Sequence, residues 1–250
     1  MDAPIAVVLA AGKGTRMESD LPKVLCRALD RPLIDWVLDA VFAAGVERAL
    51  VVVGYRSEDV RQALAGRSNV EFALQSEQLG TGHAVMMCRE SLTAHDGPVL
   101  VVTGDSPLVQ QDSIEQLLAR FRQQRPACIL GTVIKDDPQG LGRIVRDPTG
   151  AFQGIVEERD ATPEQRRIRE VNMSTYVFDS SALLESLERL TCENRQREYY
   201  LTDCPRILLG LGRDVQALPV LKACEALSIN TVAELALAEA EMQRLGYRPR

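Results

Sequence analysis

Histidine is scarce in this chain: His83 and His95 are the only two in 250 residues. Two are too few for a histidine metal cluster, and no Ser-His-Asp triad is assembled around either. Six cysteines are present without a C-x-x-C pair, so neither a zinc site nor a disulfide framework is suggested and the thiols read as reduced and mostly buried. No apolar run approaches the roughly 20 residues that span a bilayer, and the N-terminal residues lead into a strand-like segment rather than a signal peptide. The expectation is a soluble, cytoplasmic protein without a membrane partner. A basic excess is also missing: 29 Lys and Arg stand against 35 Asp and Glu, for a net charge of −6. Nucleic-acid surfaces cluster cations to displace counterions, so no nucleic-acid partner is expected. Any bound phosphate must then sit in a local basic pocket. Internal repeats, low-complexity tracts and linkers are absent too.

What remains is ordinary globular material, 46% apolar and 26% charged, enough for a packed core. Ile5 to Leu9 is a short apolar run ending in a glycine-rich turn, which predicts a buried parallel strand. Leu33 to Phe42 keeps helical spacing up to Gly45, and Leu50–Val53, Val70–Leu74 and Val99–Thr103 predict further strands, with a helix from Ser57 to Leu64. This alternation implies right-handed βαβ units and an α/β, doubly wound, mostly parallel sheet. Ligands of such sheets collect at the carboxyl ends of the strands, so the loops after Leu9, Leu74 and Thr103 are expected to share one crevice.

The second half predicts a hairpin from Arg143–Arg146 and Phe152–Val156 around the turn Asp147-Pro148-Thr149-Gly150. A strand over Val171–Phe178, helices over Ser181–Leu190 and Leu201–Leu209, and a strand over Val215–Val220 follow. A last helix runs from Thr231 to Leu245, with Thr231 and Glu234 at capping-box spacing. Residues 1–228 are expected to form the main domain and 229–250 a helical appendage.

The loop after the first strand reads Leu9-Ala10-Ala11-Gly12-Lys13-Gly14-Thr15-Arg16-Met17, with Pro22-Lys23 close behind. Glycine-rich backbone can wrap phosphate oxygens, and Lys13, Arg16 and Lys23 supply cations. Met17 occupies the third glycine position of the dinucleotide fingerprint, and no P-loop string is present. Asp105, just after a buried strand and without a basic neighbour in sequence, needs solvent or a cation, or else caps the following turn. Asn230 suits either a ligand or a helix cap. Asp136-Asp137 and Glu157-Glu158 are adjacent pairs whose members point to opposite faces, and apart from Glu157 they read as solvated charges.

The string L-x-x-G-x-G-T-R-M followed by P-K resembles the signature of the sugar-nucleotide pyrophosphorylases. Gln75 to Ala84, Gly104 to Leu108, Asp137 to Ile144, Ile155 to Thr162 and Glu198 to Asp203 extend the likeness over nearly the whole chain. Within that family it is similar to the N-acetylglucosamine-1-phosphate uridylyltransferase domains that begin bifunctional bacterial enzymes. The acetyltransferase half of such enzymes is built from hexapeptide repeats, and none occurs in these 250 residues, so acetyl transfer is not expected of them.

The resemblance implies residue roles. Leu9, Ala10, Ala11, Gly12, Lys13 and Gly14 would lie along the nucleotide, and Gln75 and the Gly80 backbone would meet uracil. Thr81, Thr103, Gly104 and Asp105 would also bind substrate. Gly142, Glu157 and Asn172 would contact the sugar. Lys23 and Arg16 would be catalytic, and Asp105 with Asn230 would hold Mg2+. One departure concerns the sugar: the family's usual N-T-G is here Asn172-Met173-Ser174. His83 reads as packing behind the Gly80 loop.

The implied substrates are UTP and N-acetylglucosamine 1-phosphate. A phosphate monoester is already anionic at neutral pH, so attack on the α-phosphorus needs no general base. The resemblance leaves a homo-oligomer open. Two rival readings are a sister transferase with another nucleotide or sugar 1-phosphate, and a catalytically silent subunit that binds sugar nucleotide. The strings around Gln75 and Glu157 weigh against another nucleotide, and Lys23, Asp105 and Asn230 together weigh against a silent subunit.

Overall fold

The first apolar run becomes β1 (Ile5–Ala10), and its side chains alternate between two cores. Ile5 and Val7 enter one apolar cluster; Ala6, Val8 and Ala10 enter another on the opposite face. A strand buried on both faces has no polar side, which is why the segment is a continuous hydrophobic run. Fully burying one Val or Leu contributes about 1.5–3 kcal/mol, so the central strands anchor the fold. The computed structural model describes residues 2–14, 17, 20–227 and 229–248.

In chain order, a short antiparallel pair, β2 (Arg27–Ala28) and β3 (Arg31–Pro32), precedes α1 (Leu33–Ala43), β4 (Arg48–Val53), α2 (Ser57–Ala63) and β5 (Val70–Leu74). Then come α3 (Thr81–Met86), α4 (Arg89–Thr93), β6 (Pro98–Thr103), α5 (Gln111–Gln124) and β7 (Cys128–Ile134). The second half contains β8 (Gly142–Arg146), β9 (Phe152–Val156), β10 (Glu170–Asp179), α6 (Ser180–Leu187), α7 (Cys204–Gly210), β11 (Val215–Leu218) and α8 (Val232–Arg244).

The main sheet has the order β11-β7-β10-β6-β1-β4-β5, with β8 pairing β10 and β9. β4 and β6 flank β1 in parallel, β5 continues from β4, and β11 runs parallel to β7. Only β10 within that order runs against its neighbours. The expected doubly wound, mostly parallel sheet is therefore the observed one. Apolar faces of α1, α2 and α5 cover one side, and those of α3, α4, α6 and α7 cover the other. Among the described residues no helix is long and apolar enough to cross a membrane. All six cysteines are free, and five are buried.

Several elements differ from the sequence expectations. The stretch from Leu201 splits into a 3-10 turn (Leu201–Asp203) and α7, because Pro205 lacks an N–H and sits comfortably only in the first turn of a helix. β11 stops at Leu218 because Pro219 cannot donate to the ladder. Between Thr103 and Arg143 the sequence expectations name no element, yet α5 and β7 lie there. The signal for α5 is present in Ile114, Leu117, Leu118 and Phe121, buried at helical spacing.

A correction concerns Glu158, which is not a solvated charge. It receives the guanidinium of Arg143 at 2.6 Å, and the Arg143 side chain is only 2% exposed. A buried cation requires a partner, so this pair fixes the start of β8 to the loop after β9. The Asp147 turn does form as expected, with Gly150 N–H donating to the Asp147 carbonyl at 2.9 Å.

The C-terminal segment packs against a third apolar cluster. Ile229, Ala238 and Met242 are buried there with Met17, Leu33, Trp36 and Leu108. Trp36 meets Tyr247 in a tilted pair with ring centroids 5.3 Å apart, and the Leu29 N–H donates to Glu239 at 2.9 Å. These contacts carry residues 229–231 to the carboxyl ends of the central strands.

Candidate active site

β1, β5 and β6 run the same way, so the loops after Leu9, Leu74 and Thr103 emerge together, as expected. Leu9, Ala11, Gly12, Gln75, Gly80, Thr81, Thr103 and Asp105 line one cavity of about 320 Å³. A second cavity of about 630 Å³ is lined by Lys23, Thr103, Asp105, Asn172 and Asn230 among others. Thr103 and Asp105 border both. The two spaces therefore meet at the end of β6.

At that junction the Lys23 ammonium lies 2.6 Å from the Asp105 carboxylate and donates to Asn230 Oδ1 at 3.0 Å. The three residues come from distant stretches of chain. Asp105 thus has a cationic partner that its sequence neighbourhood does not reveal. Asn230 is held by its own N–H, which donates to Glu234 at 2.7 Å, while the Thr231 hydroxyl accepts from the Glu234 N–H at 3.2 Å. Thr231 caps α8, and the Glu234 carboxylate reaches back to the N–H of Asn230 instead of that of Thr231, so only the Thr231 half of the expected capping box forms. Asn230 sits one residue before the cap.

The donor set suits a hard cation. Two oxygens, from a carboxylate and a carboxamide, converge on one positive charge, the Lys23 ammonium. Magnesium commonly takes one or two protein oxygens and completes its shell with water and phosphate. Among the described residues no group of three or more His, Cys, Asp or Glu is placed to hold a metal.

Close backbone approach explains two glycines. Gly14 has φ +67, and a Cβ there would lie 2.5 Å from Lys23 Cβ; the loop turns tightly against the lysine stem. Gly80 has φ +110, and a Cβ would meet the Tyr199 carbonyl at 2.6 Å. Gln75 is buried and donates to the Gly80 carbonyl at 3.1 Å, with His83 Nδ1 at 3.0 Å from the same nitrogen. His83 therefore supports the Gly80 loop.

Several assigned residues stand apart from these two cavities. Ala10 is buried in the core. Gly104 is held beneath the site by its N–H, which donates to the Leu9 carbonyl at 2.9 Å. Lys13 is exposed, its ammonium 5.2 Å from the centre of the Tyr55 ring. Arg16 lies outside the described residues. Glu157 lines a third cavity of about 360 Å³ with Thr202 and Asp203. It still approaches the second, because a Cβ on Gly142 would lie 3.8 Å from Glu157 Oε1 and 3.7 Å from Asn172 Cβ.

Sequence reasoning missed Gln78, which donates to the Ala11 carbonyl at 2.7 Å and ties the two nucleotide-side loops together. It also missed Lys135, whose ammonium donates to the Ala226 carbonyl at 3.0 Å beside the second cavity. Gln78 lies inside the Gln75–Ala84 string; Lys135 has no local signal.

Burial holds the Glu157 carboxyl above the ordinary carboxylate range, opposed by the Thr202 hydroxyl that donates to it at 2.9 Å. A folded-state pKa above the unfolded value stabilises below the unfolded pKa, and that contribution is lost as pH rises through the folded value. Glu157→Gln is therefore expected to leave the melting temperature near about pH 4 little changed and to raise it near about pH 8. Paired thermal melts check this; a lower melting temperature at the higher pH would contradict it.

Residues 6–203 match the profile of the MobA-like NTP transferase domain. The chain belongs to this family. It is 43% identical over 244 residues to the bifunctional protein GlmU of Listeria welshimeri, covering 98% of this chain and 53% of the relative. The corresponding protein of Bacillus licheniformis is 39% identical over 249 residues, with 99% and 54% covered. The chain thus spans about half the length of these relatives. Among solved structures, a Bacillus anthracis protein assigned as a glucose-1-phosphate thymidylyltransferase superposes with a TM-score of 0.79 at 18% identity, over 96% of this chain and 95% of that one. At that identity the likeness concerns the fold.

Proposed function

We propose that this NTP transferase domain transfers uridylyl from UTP to N-acetylglucosamine 1-phosphate and releases pyrophosphate. The observation that carries the reading is the convergence of Lys23, Asp105 and Asn230 where the two cavities meet. A nucleotide in the first cavity and a sugar phosphate in the second would bring their phosphates together there. The motif resemblance supplies uracil and N-acetylglucosamine as the two end groups, and the GlmU relatives support it.

In this scheme the chain acts by position and charge. The Gly80 loop, braced by Gln75 and His83, would receive the base, and the Gly12 loop would follow the phosphates. Asn172 and Glu157 would hold the sugar, offering an amide and a carboxylate to its hydroxyls and acetamide. Lys23 would turn from Asp105 to the reacting phosphates, where charge builds as the new bond forms. Asp105 and Asn230 would hold a Mg2+, which supplies charge neutralisation between the phosphates when bound. Residues 229–250 are then part of the active site.

Pyrophosphate release measured over four nucleoside triphosphates and a series of sugar 1-phosphates tests the reading. Turnover confined to UTP with N-acetylglucosamine 1-phosphate is the expected result. Met173 and Ser174 line the sugar-side cavity, so a different preferred sugar would appear along that axis and replace the substrate assignment.

Gly14→Ala provides a separate check on the loop. A side chain at φ +67 is expected to lower stability by about 1–2 kcal/mol. Displacing Lys23 should also reduce kcat about 10- to 100-fold, since small misplacements near reacting atoms are costly. Denaturant unfolding and pyrophosphate release read the two effects; wild-type kcat would detach the loop from Lys23.

A further inference from the structure

Glu225 is a buried carboxylate, 6% exposed, in the 3-10 turn Ala223–Ala226. Both of its oxygens are used. Oε1 accepts from the Gln110 N–H at 3.1 Å; Oε2 accepts from the Ser113 hydroxyl at 2.6 Å and from the Lys222 N–H at 2.8 Å. The Lys222 bond closes the turn, whereas the other two reach the start of α5, 115 and 112 residues away in the chain. Taking a carboxylate out of water is costly, and closing a surface turn does not require it. The long-range bonds join the two stretches of chain that carry Asp105 and Asn230. Gln110 follows Asp105 by five residues, and Glu225 precedes Asn230 by five. The Asp105 loop is closed on itself, with the Thr103 and Ser106 hydroxyls 2.7 Å apart and the Val109 N–H donating to the Ser106 carbonyl at 3.1 Å. On the other side Lys135 holds the Ala226 carbonyl at 3.0 Å, and Ile229 is buried with Ala238 and Met242 of α8.

We propose that Glu225 is a positioning residue that sets the spacing of Asp105 and Asn230 by clamping the segment before Asn230 to the loop after Asp105. The inference rests on the assignment of those two residues to Mg2+. Glu225 lines neither of the two cavities that meet at Asp105, so it acts through the residues it joins. A carboxylate suits the task because it has two acceptor oxygens. Glutamine has the same shape and only one, so its NH2 group must face either the Gln110 N–H or the Lys222 N–H. In both orientations one backbone donor loses its acceptor and the clamp is weakened.

The test is Glu225→Gln in the full chain, alone and combined with Asn230→Ala. In the metal-free protein, hydrogen exchange of the amides around Asn230 is expected to quicken about 5- to 10-fold, the loss of one hydrogen bond, while β1 and β6 exchange as in wild type. Mn2+ affinity of the nucleotide complex, read by electron paramagnetic resonance, should fall about 10-fold, the low end of what groups that orient metal ligands contribute. KM for UTP should stay within about twofold. Once Asn230→Ala has removed the side chain to be placed, adding Glu225→Gln should weaken Mn2+ binding by less than about twofold. Full additivity in the double variant would make Glu225 a structural brace and overturn the proposal, as would wild-type Mn2+ affinity in Glu225→Gln, whatever its melting temperature. Should Glu225→Gln fail to fold, Ser113→Ala removes one bond and keeps the carboxylate; a smaller loss of Mn2+ affinity that vanishes in the Asn230→Ala background supports the clamp, and wild-type affinity overturns it. If Asn230→Ala itself leaves Mn2+ binding unchanged, the metal assignment fails separately. The same variants compared on kcat then decide on Glu225: losses that do not add support the clamp, and additive ones overturn it.

Discussion

Lys23→Ala is expected to lower kcat about 100- to 1,000-fold, the scale of removing one donor aimed at transition-state charge. UTP binding should weaken far less. The reason lies in where the ammonium sits: its side chain is 15% exposed, held between the Asp105 carboxylate and Asn230. Such a charge is already oriented and partly desolvated, so it interacts more strongly with developing negative charge than a solvated lysine would. Gly14 packs against its stem and limits where it can go. Single-turnover rates with UTP titrations separate the two effects. Equal losses in binding and turnover would make Lys23 a ground-state phosphate contact, and an unchanged kcat would remove it from the reaction.

Asp105→Asn is expected to raise the Mg2+ concentration for half-maximal rate by about 100-fold or more, since residues one shell removed from a metal already cost 10- to 100-fold. The substitution preserves shape and removes charge. It also releases Lys23 from its 2.6 Å partner, so part of the deficit should persist at saturating Mg2+. Asn230→Ala should show the same dependence to a smaller degree, because a neutral oxygen binds a hard cation less strongly than a carboxylate. Mn2+ binding by the nucleotide complex, followed by electron paramagnetic resonance, reads the metal directly. Unchanged affinity in both variants would make Asn230 only the residue ahead of the α8 cap, and would move the metal site elsewhere.

Much of the architecture is legible in local pattern. Buried strands with no polar face announce themselves as runs such as Ile5–Leu9 and Val99–Thr103, and the loops that follow them must meet once the strands are parallel. The Thr231 cap of α8 needs only four consecutive residues, and it forms. The elements harder to read are those whose fate depends on neighbours. Leu201–Leu209 has helical spacing, but Pro205 forces the helix to begin anew. β10 does not show in its sequence that it will run against β6 and β7, because direction is set by how the chain returns from the β8–β9 hairpin.

The site divides in the same way. Sequence alone determined which residues carry charge and where the chain turns: the glycine loop with its cations, the carboxylate after β6, the asparagine before the last helix. Only the tertiary structure decided that Lys23, Asp105 and Asn230 touch, that Glu157 lines a cavity beside the one holding Asn172, and that Glu158 belongs to buried Arg143. The physical reason is the range of the forces. Backbone preferences and hydrophobic periodicity act over a few residues and leave a local signature. An ion pair between residues 23 and 105 acts across a distance that only packing can close, and neither partner carries a mark of the other.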